Sequence, residues 1–230
     1  KVTYVPENEF ELLTFREGLI AAKKDGKWGF INKKGKAVID FKYDEVKNFD
    51  ENGLAAVAIK EENDDGEEEL LWGYINKKGD TVVKCKYSSA AHFDPFYDLA
   101  IVSIKDKDED EKDVTYYGVI NGKGEEIFSI SKSKYVNAEI LKDGYIRVCK
   151  EEKVGKFIEK TERKCGLLNK NGETVIDVKY DALLKQISDV DTIVIGEYDG
   201  DYDDADREMK YGVANLKGEI IVKAKYDDII

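Results

Sequence analysis

Five near-identical turns, almost evenly spaced, constrain this chain more than any other feature. The segments KWGFINKKG (27–35), LWGYINKKG (71–79), YYGVINGKG (116–124), KCGLLNKNG (164–172) and KYGVANLKG (210–218) share one pattern. Their first glycines are Gly29, Gly73, Gly118, Gly166 and Gly212, spaced by 44, 45, 48 and 46 residues. In each segment an Asn follows that glycine by three positions and a second Gly by six: Asn32/Gly35, Asn76/Gly79, Asn121/Gly124, Asn169/Gly172 and Asn215/Gly218. A fixed period of this length means one supersecondary unit used repeatedly. A single unit is too small to bury a core alone, so the units must stack. The 230 residues therefore read as one repeat domain, with units near 7–42, 43–86, 87–134, 135–179 and 180–225.

Within the second unit, Leu54–Lys60, Leu71–Asn76 and Thr81–Tyr87 read as strands, with Glu45–Phe49 as a short edge strand. Val83, Cys85 and Tyr87 alternate with Lys84 and Lys86. The same alternation recurs at Ile39/Phe41/Tyr43, Ile176/Val178/Tyr180 and Val222/Ala224/Tyr226. Period two with one apolar face marks a half-buried strand. In the Asn-x-x-Gly turn, the Asn side chain is expected to bond the backbone two residues on. The Gly supplies the positive φ that closes the hairpin. The glycine after the aromatic residue falls inside a strand, which predicts a bulge or a close backbone approach. The third unit departs from the rest: Gly124 to Tyr135 spans eleven residues where the others span eight, a three-residue insertion.

The string KWGFINKKGKAVIDFKYDEV (27–46) resembles the WG-repeat, or KWG-repeat, proteins, which are found largely in bacteria. The resemblance runs along the chain, although Tyr117, Cys165 and Tyr211 replace the Trp in the last three units. It implies β-rich tandem repeats and a binding or scaffolding role, with no shared catalytic residues.

Three or four strands per unit, tight hairpins and no helix signal give an all-β fold. The expected architecture is a five-bladed β-propeller, because ring closure removes open edges. The alternative is an open β-solenoid array.

A net charge of −12 repels polyanions, which excludes nucleic acid as the expected partner and disfavours anionic membranes. No apolar run is long enough to span a bilayer. The chain opens at Lys1 without a leader. Two expectations follow, a leader removed on export or a sequence trimmed at its start, and the first leans toward an exported or cell-surface protein over a cytoplasmic one. Among the three cysteines, Cys85 aligns with core positions of other units. Cys149 and Cys165 fall on neighbouring strands of the fourth unit. Two ordinary thiols are expected there, with a cross-strand disulfide as the alternative, since a one-residue register change moves them to opposite faces.

Candidate functional residues are few. Insertions at Glu61–Glu69, Lys105–Asp113, Lys150–Lys164 and Asp199–Glu208 fall at one place in the unit, and read as solvated hairpin tips or as a rim for a basic partner. In DGDYDDADRE (199–208), Asp201 and Asp203 are the candidates for such contacts. The segment lacks the glycine and the closing Glu spacing of a calcium loop, so no metal site is expected. His92, the only histidine, reads as structural or surface rather than catalytic, since Ser89 and Asp94 are its neighbours in sequence and not a triad assembled across a fold. The recurrent tyrosines Tyr43, Tyr87, Tyr180 and Tyr226 end their strands over the core, or else line one pocket per unit. The functional expectation is a non-enzymatic repeat protein, without cofactor, that presents a surface to a protein partner. The alternative is a carbohydrate-binding module using those tyrosines.

Overall fold

The computed structural model describes residues 18–63, 66–108, 110–154, 160–186, 191–200 and 206–229. The chain is all-β and divides into two compact units, Lys1–Ile130 and Ser131–Ile230. The first unit holds three sheets. β1 (Leu19–Lys24), β2 (Lys27–Asn32) and β3 (Ala37–Tyr43) form the first; β4 (Glu45–Val46), β5 (Leu54–Glu62), β6 (Glu68–Asn76) and β7 (Thr81–Tyr87) form the second. The third comprises β8 (Ser89–Ala90), β9 (Leu99–Lys107) and β10 (Asp113–Asn121). The second unit holds two sheets. β11 (Asn137–Ile140), β12 (Ile146–Val154), β13 (Lys160–Leu168) and β14 (Thr174–Tyr180) form one; β15 (Ala182–Gln186), β16 (Thr192–Asp199), β17 (Glu208–Asn215) and β18 (Ile220–Tyr226) form the other. Every sheet is an antiparallel meander of consecutive strands.

All five Asn-x-x-Gly turns have the expected chemistry. In the second repeat Asn76 Oδ1 accepts the N–H of Lys78 at 2.9 Å and of Asp80 at 3.0 Å, while Gly79, at φ +86°, donates to the Asn76 carbonyl. Four repeats add a bond the sequence reading missed. The Asn amide donates to an acid four residues on: Asp80, Glu125, Glu173 or Glu219. The strand ladders run into the hairpin insertions, with pairing out to Glu62↔Glu68, Lys107↔Asp113, Val154↔Lys160 and Asp199↔Glu208.

The glycine inside the Trp-Gly strand sits under a crossing backbone. Pairing between β6 and β7 jumps from Trp72↔Tyr87 to Tyr74↔Val83, so β7 bulges over Gly73. A Cβ on Gly73 would lie 2.4 Å from the Val83 carbonyl oxygen; on Gly212 it would lie 2.4 Å from that of Val222. No side chain fits such a gap, which is why the position holds glycine. The third repeat solves the problem differently. An isolated Ile120↔Glu126 bridge and the short helix α1 (Ile130–Ser133) replace its last strand. The Ile130 side chain fills the space over Gly118. The three-residue insertion is what makes room for that helical turn.

Neighbouring repeats interlock by aromatic stacking and by the turns themselves. Phe49 packs on Phe30 with centroids 4.7 Å apart, and Phe93 packs on Tyr74 at 4.9 Å. The buried Tyr74 hydroxyl donates to the Ala91 carbonyl at 2.6 Å. Asp50 is buried and accepts the backbone N–H of Phe93 from the next repeat at 3.1 Å. In the second, third and fifth repeats the turn lies on the last strand of the repeat before it: a Cβ on Gly79 would touch Ile39, one on Gly124 would overlap Val83, and one on Gly218 would meet the Val175 carbonyl.

The expectation of two free thiols in the fourth repeat is corrected. Cys149 and Cys165 are directly opposite in the β12–β13 register and form a disulfide. Both are buried against Leu167, Ile176 and Tyr180. The sequence left the register open by one residue, and the register decides which face each sulfur takes.

Candidate binding surface

The structure places the recurrent tyrosines in the core in three repeats. Tyr43 is 5% exposed, Tyr87 1% and Tyr180 5%, whereas Tyr226 is 48% exposed. Burial is the main cause that raises the phenol pKa of Tyr43, Tyr87 and Tyr180. The preceding lysine reaches over each ring: Lys42 on Tyr43, Lys86 on Tyr87, Lys179 on Tyr180 and Lys225 on Tyr226, at 4.8–5.4 Å from the centroids. Tyr43 still borders an apolar cleft of about 420 Å³ with Val57, Ile75 and Cys85. Burial, followed by the Glu61 charge, raises the Cys85 thiol pKa, so its reactive thiolate is disfavoured. Asp201 and Asp203 lie outside the described residues. His92 is exposed. Among the described residues no group of three or more His, Cys, Asp or Glu side chains is arranged to hold a metal ion.

A different feature governs the surface between repeats. In the first, second and fourth repeats the last strand runs straight into the first strand of the next, changing partners as it goes. Tyr43 pairs with Trp28 in the first sheet, and one residue later Asp44 donates its N–H to Ala58 of the second. The Asp44 side chain closes the fork. One oxygen accepts Lys27 Nζ at 2.6 Å, and the other accepts the backbone N–H of Lys60 at 3.0 Å. That N–H points out of the β5–β6 ladder, because N–H and C=O groups alternate sides along a strand. Asp181 does the same between the fourth and fifth repeats, bonding Lys164 and the Tyr198 N–H. Lysine binding is the main cause that lowers the Asp44 carboxyl pKa.

The junction between the second and third repeats lacks this pair. Leu71 stands at the lysine position and Ser88 at the aspartate position. The backbone still crosses over, with Ser88 N–H on the Ser103 carbonyl at 2.8 Å, and the Ser88 hydroxyl is 3.1 Å from that of Ser103. A cleft of about 470 Å³ lies here, bordered by Leu71, Ser88, Ile104, Lys105, Glu69 and Thr115, among others. Its walls are two strand edges. β6 pairs with β7 only from Trp72 onward, so Glu68–Leu71 have no ladder partner on that side among the described residues. β9 pairs with β8 only at Val102 and Ser103, so Ile104–Lys107 are likewise open. The outer rim mixes signs, with Glu67, Asp106 and Asp113 beside Lys86 and Lys107. Lys86 is held by Glu126 at 3.0 Å.

This cleft was not foreseen, yet the sequence carries its signal. Lysine two residues before the repeat glycine and aspartate fifteen after it occur together in Lys27/Asp44, Lys164/Asp181 and Lys210/Asp227. They disappear together in Leu71/Ser88, and again in the third repeat, where Tyr116 stands at the lysine position and Val136 follows Tyr135.

A sequence model of the WG containing repeat matches residues 10–28, 28–61, 72–107 and 211–230. The chain carries WG repeats. No curated protein and no solved structure matches it. The WG of these WG repeats is thus a structural pair: the glycine admits the crossing strand, and the aromatic before it faces the tyrosine that ends that strand, as in Trp28↔Tyr43 and Trp72↔Tyr87.

Proposed function

We propose that this WG-repeat chain is a non-enzymatic scaffold whose repeats present a surface to a protein partner, and that the cleft between the second and third repeats is the principal contact site. The observation that carries the reading is that cleft: two strand edges, half-buried apolar residues in its lining and charges of both signs. Mixed polar and apolar lining of this kind suits a polypeptide. Burial of Tyr43, Tyr87 and Tyr180 favours a protein partner over a glycan, because a stacking platform needs exposed ring faces. Site-specific photo-crosslinking tests the reading. A photoreactive residue at Lys105 should capture a partner protein in the producing cell, whereas one at Lys36, on the exposed turn of the first repeat, should not. Equal capture at both positions, or none at either, contradicts it.

The finer architecture belongs to the same proposal. Each sheet is a meander of consecutive strands, the topology of a propeller blade, and this supports a five-bladed ring over an open array. Small-angle scattering separates the two. A closed globule of this length has a radius of gyration near ~17 Å, and a larger, rod-like profile indicates the open array.

A further inference from the structure

We infer that the cleft between the second and third repeats takes an extended peptide strand, which adds to the open edge of β9 at Lys105; this rests on the protein-binding reading above and names the form of the partner. The inference comes from comparing equivalent junctions in one chain. At the first junction the outward N–H of Lys60 is taken by Asp44, and at the last the N–H of Tyr198 is taken by Asp181. Lys105 occupies the same position in the third repeat, because Ser88 donates to Ser103 as Asp44 donates to Ala58, and Lys105 lies two residues past Ser103. Alternation along the strand turns the Lys105 N–H and C=O outward. The carboxylate that would cap the N–H is absent, since position 88 is serine, and the hydroxyl of Ser88 is engaged with Ser103 instead.

An outward donor and acceptor on one edge residue are what an added strand pairs with, two bonds per alternate residue. The side-chain lining fits the same ligand. Leu71, Ile104 and Val114 are half-buried in the lining, and favour an apolar residue in the incoming strand. Glu69 lies on the β6 wall, with Glu67 just before that strand, and Lys105 and Lys107 lie on the β9 wall, so charges of both signs flank that residue. The two stapled junctions cannot accept such a strand, because aspartate already occupies the edge.

The test uses the full chain and a display library of ten-residue linear peptides, from which binders are selected on the wild-type protein. Two variants are then compared. Leu71→Lys with Ser88→Asp installs the staple found at the other junctions. Lys105→Pro removes the outward N–H without breaking the β9–β10 ladder, a place where an edge proline is tolerated. Both variants are first required to keep the wild-type urea midpoint within the range of surface substitutions. Selected peptides should bind the wild type and lose at least about tenfold in affinity on each variant, the worth of one good hydrogen bond or more. Backbone N-methylation of the peptide at alternate residues should abolish binding. Peptides that bind the wild type and both variants equally overturn strand addition while leaving a protein-binding surface in place. Failure to select any peptide overturns strand addition, and photo-crosslinking at Lys105 then decides the protein-binding reading by itself.

Discussion

Lys27 Nζ lies 2.6 Å from Asp44 Oδ1, and the other oxygen of the same carboxylate holds the backbone N–H of Lys60, one repeat further on. One side chain thus ties the Trp-Gly strand of one repeat to the hairpin of the next. The pair is partly exposed, with Lys27 at 46% and Asp44 at 15%. A double-mutant cycle of Lys27→Met and Asp44→Asn should therefore give a coupling of only about 0.5–1 kcal/mol in urea unfolding. The sign of the pH dependence follows from the lowered Asp44 pKa. Its folded value lies below its unfolded value, so the stabilisation is fully present above the unfolded pKa and is lost as pH falls through the folded pKa. Asp44→Asn should lower the midpoint at neutral pH and make it fall less steeply in acid. A variant with the wild-type acid slope contradicts the pairing.

Gly73→Val should destabilise by about 3 kcal/mol or more, because a Cβ there meets the crossing backbone of β7, which has no rotamer with which to yield. Lys78→Ala, on the exposed turn of the same hairpin, should stay within about 0.5 kcal/mol. Equal urea midpoints for the two variants contradict the crossing geometry.

Gly124→Ala probes the contact between repeats. The residue has φ +81°, and an added Cβ would lie 2.5 Å from Val83 Cγ2 of the previous repeat. The substitution combines left-handed backbone strain with overpacking, and should cost about 2 kcal/mol. Adding Val83→Ala should recover part of that loss through relief of the overlap. Failure of the double variant to gain anything over the sum of the single losses places the cost in the backbone alone.

The Cys149–Cys165 disulfide closes a sequence separation of 16 residues. Its reduction, or replacement by two alanines, should cost about 3 kcal/mol by loop entropy. Thiol titration in denaturant checks the bond directly. Of the three cysteines, one should react without reductant and all three with it. Three reactive thiols in unreduced protein contradict the bond.

Much of the fold was legible because it is local. The Asn-x-x-Gly turn carries its hydrogen bonds within five residues, so five copies of the motif predict five hairpins, and period two in Thr81–Tyr87 names the buried face of β7. The bulge over Gly73 was also legible, since a glycine inside a strand marks a bulge or a close backbone approach. What escaped depends on register or on neighbours far along the chain. Cys149 opposite Cys165 needs the β12–β13 alignment to the residue. The buried acceptor role of Asp50 toward Phe93 spans 43 positions. The helical turn at Ile130 replaces a strand for reasons of space over Gly118, which no propensity reveals. The open junction was written in the sequence as a missing Lys/Asp pair, but its meaning appears only once Asp44 is seen to hold an N–H of the next repeat.

The most direct measurement is residue-resolved hydrogen exchange of three equivalent amides, Lys60, Tyr198 and Lys105. The first two are capped by Asp44 and Asp181. The predicted result is protection at Lys60 and Tyr198, fast exchange at Lys105, and slowed exchange at Lys105 once Leu71→Lys and Ser88→Asp are introduced. Lys105 protected in the wild type to the same degree as Lys60 would contradict an open edge between the second and third repeats.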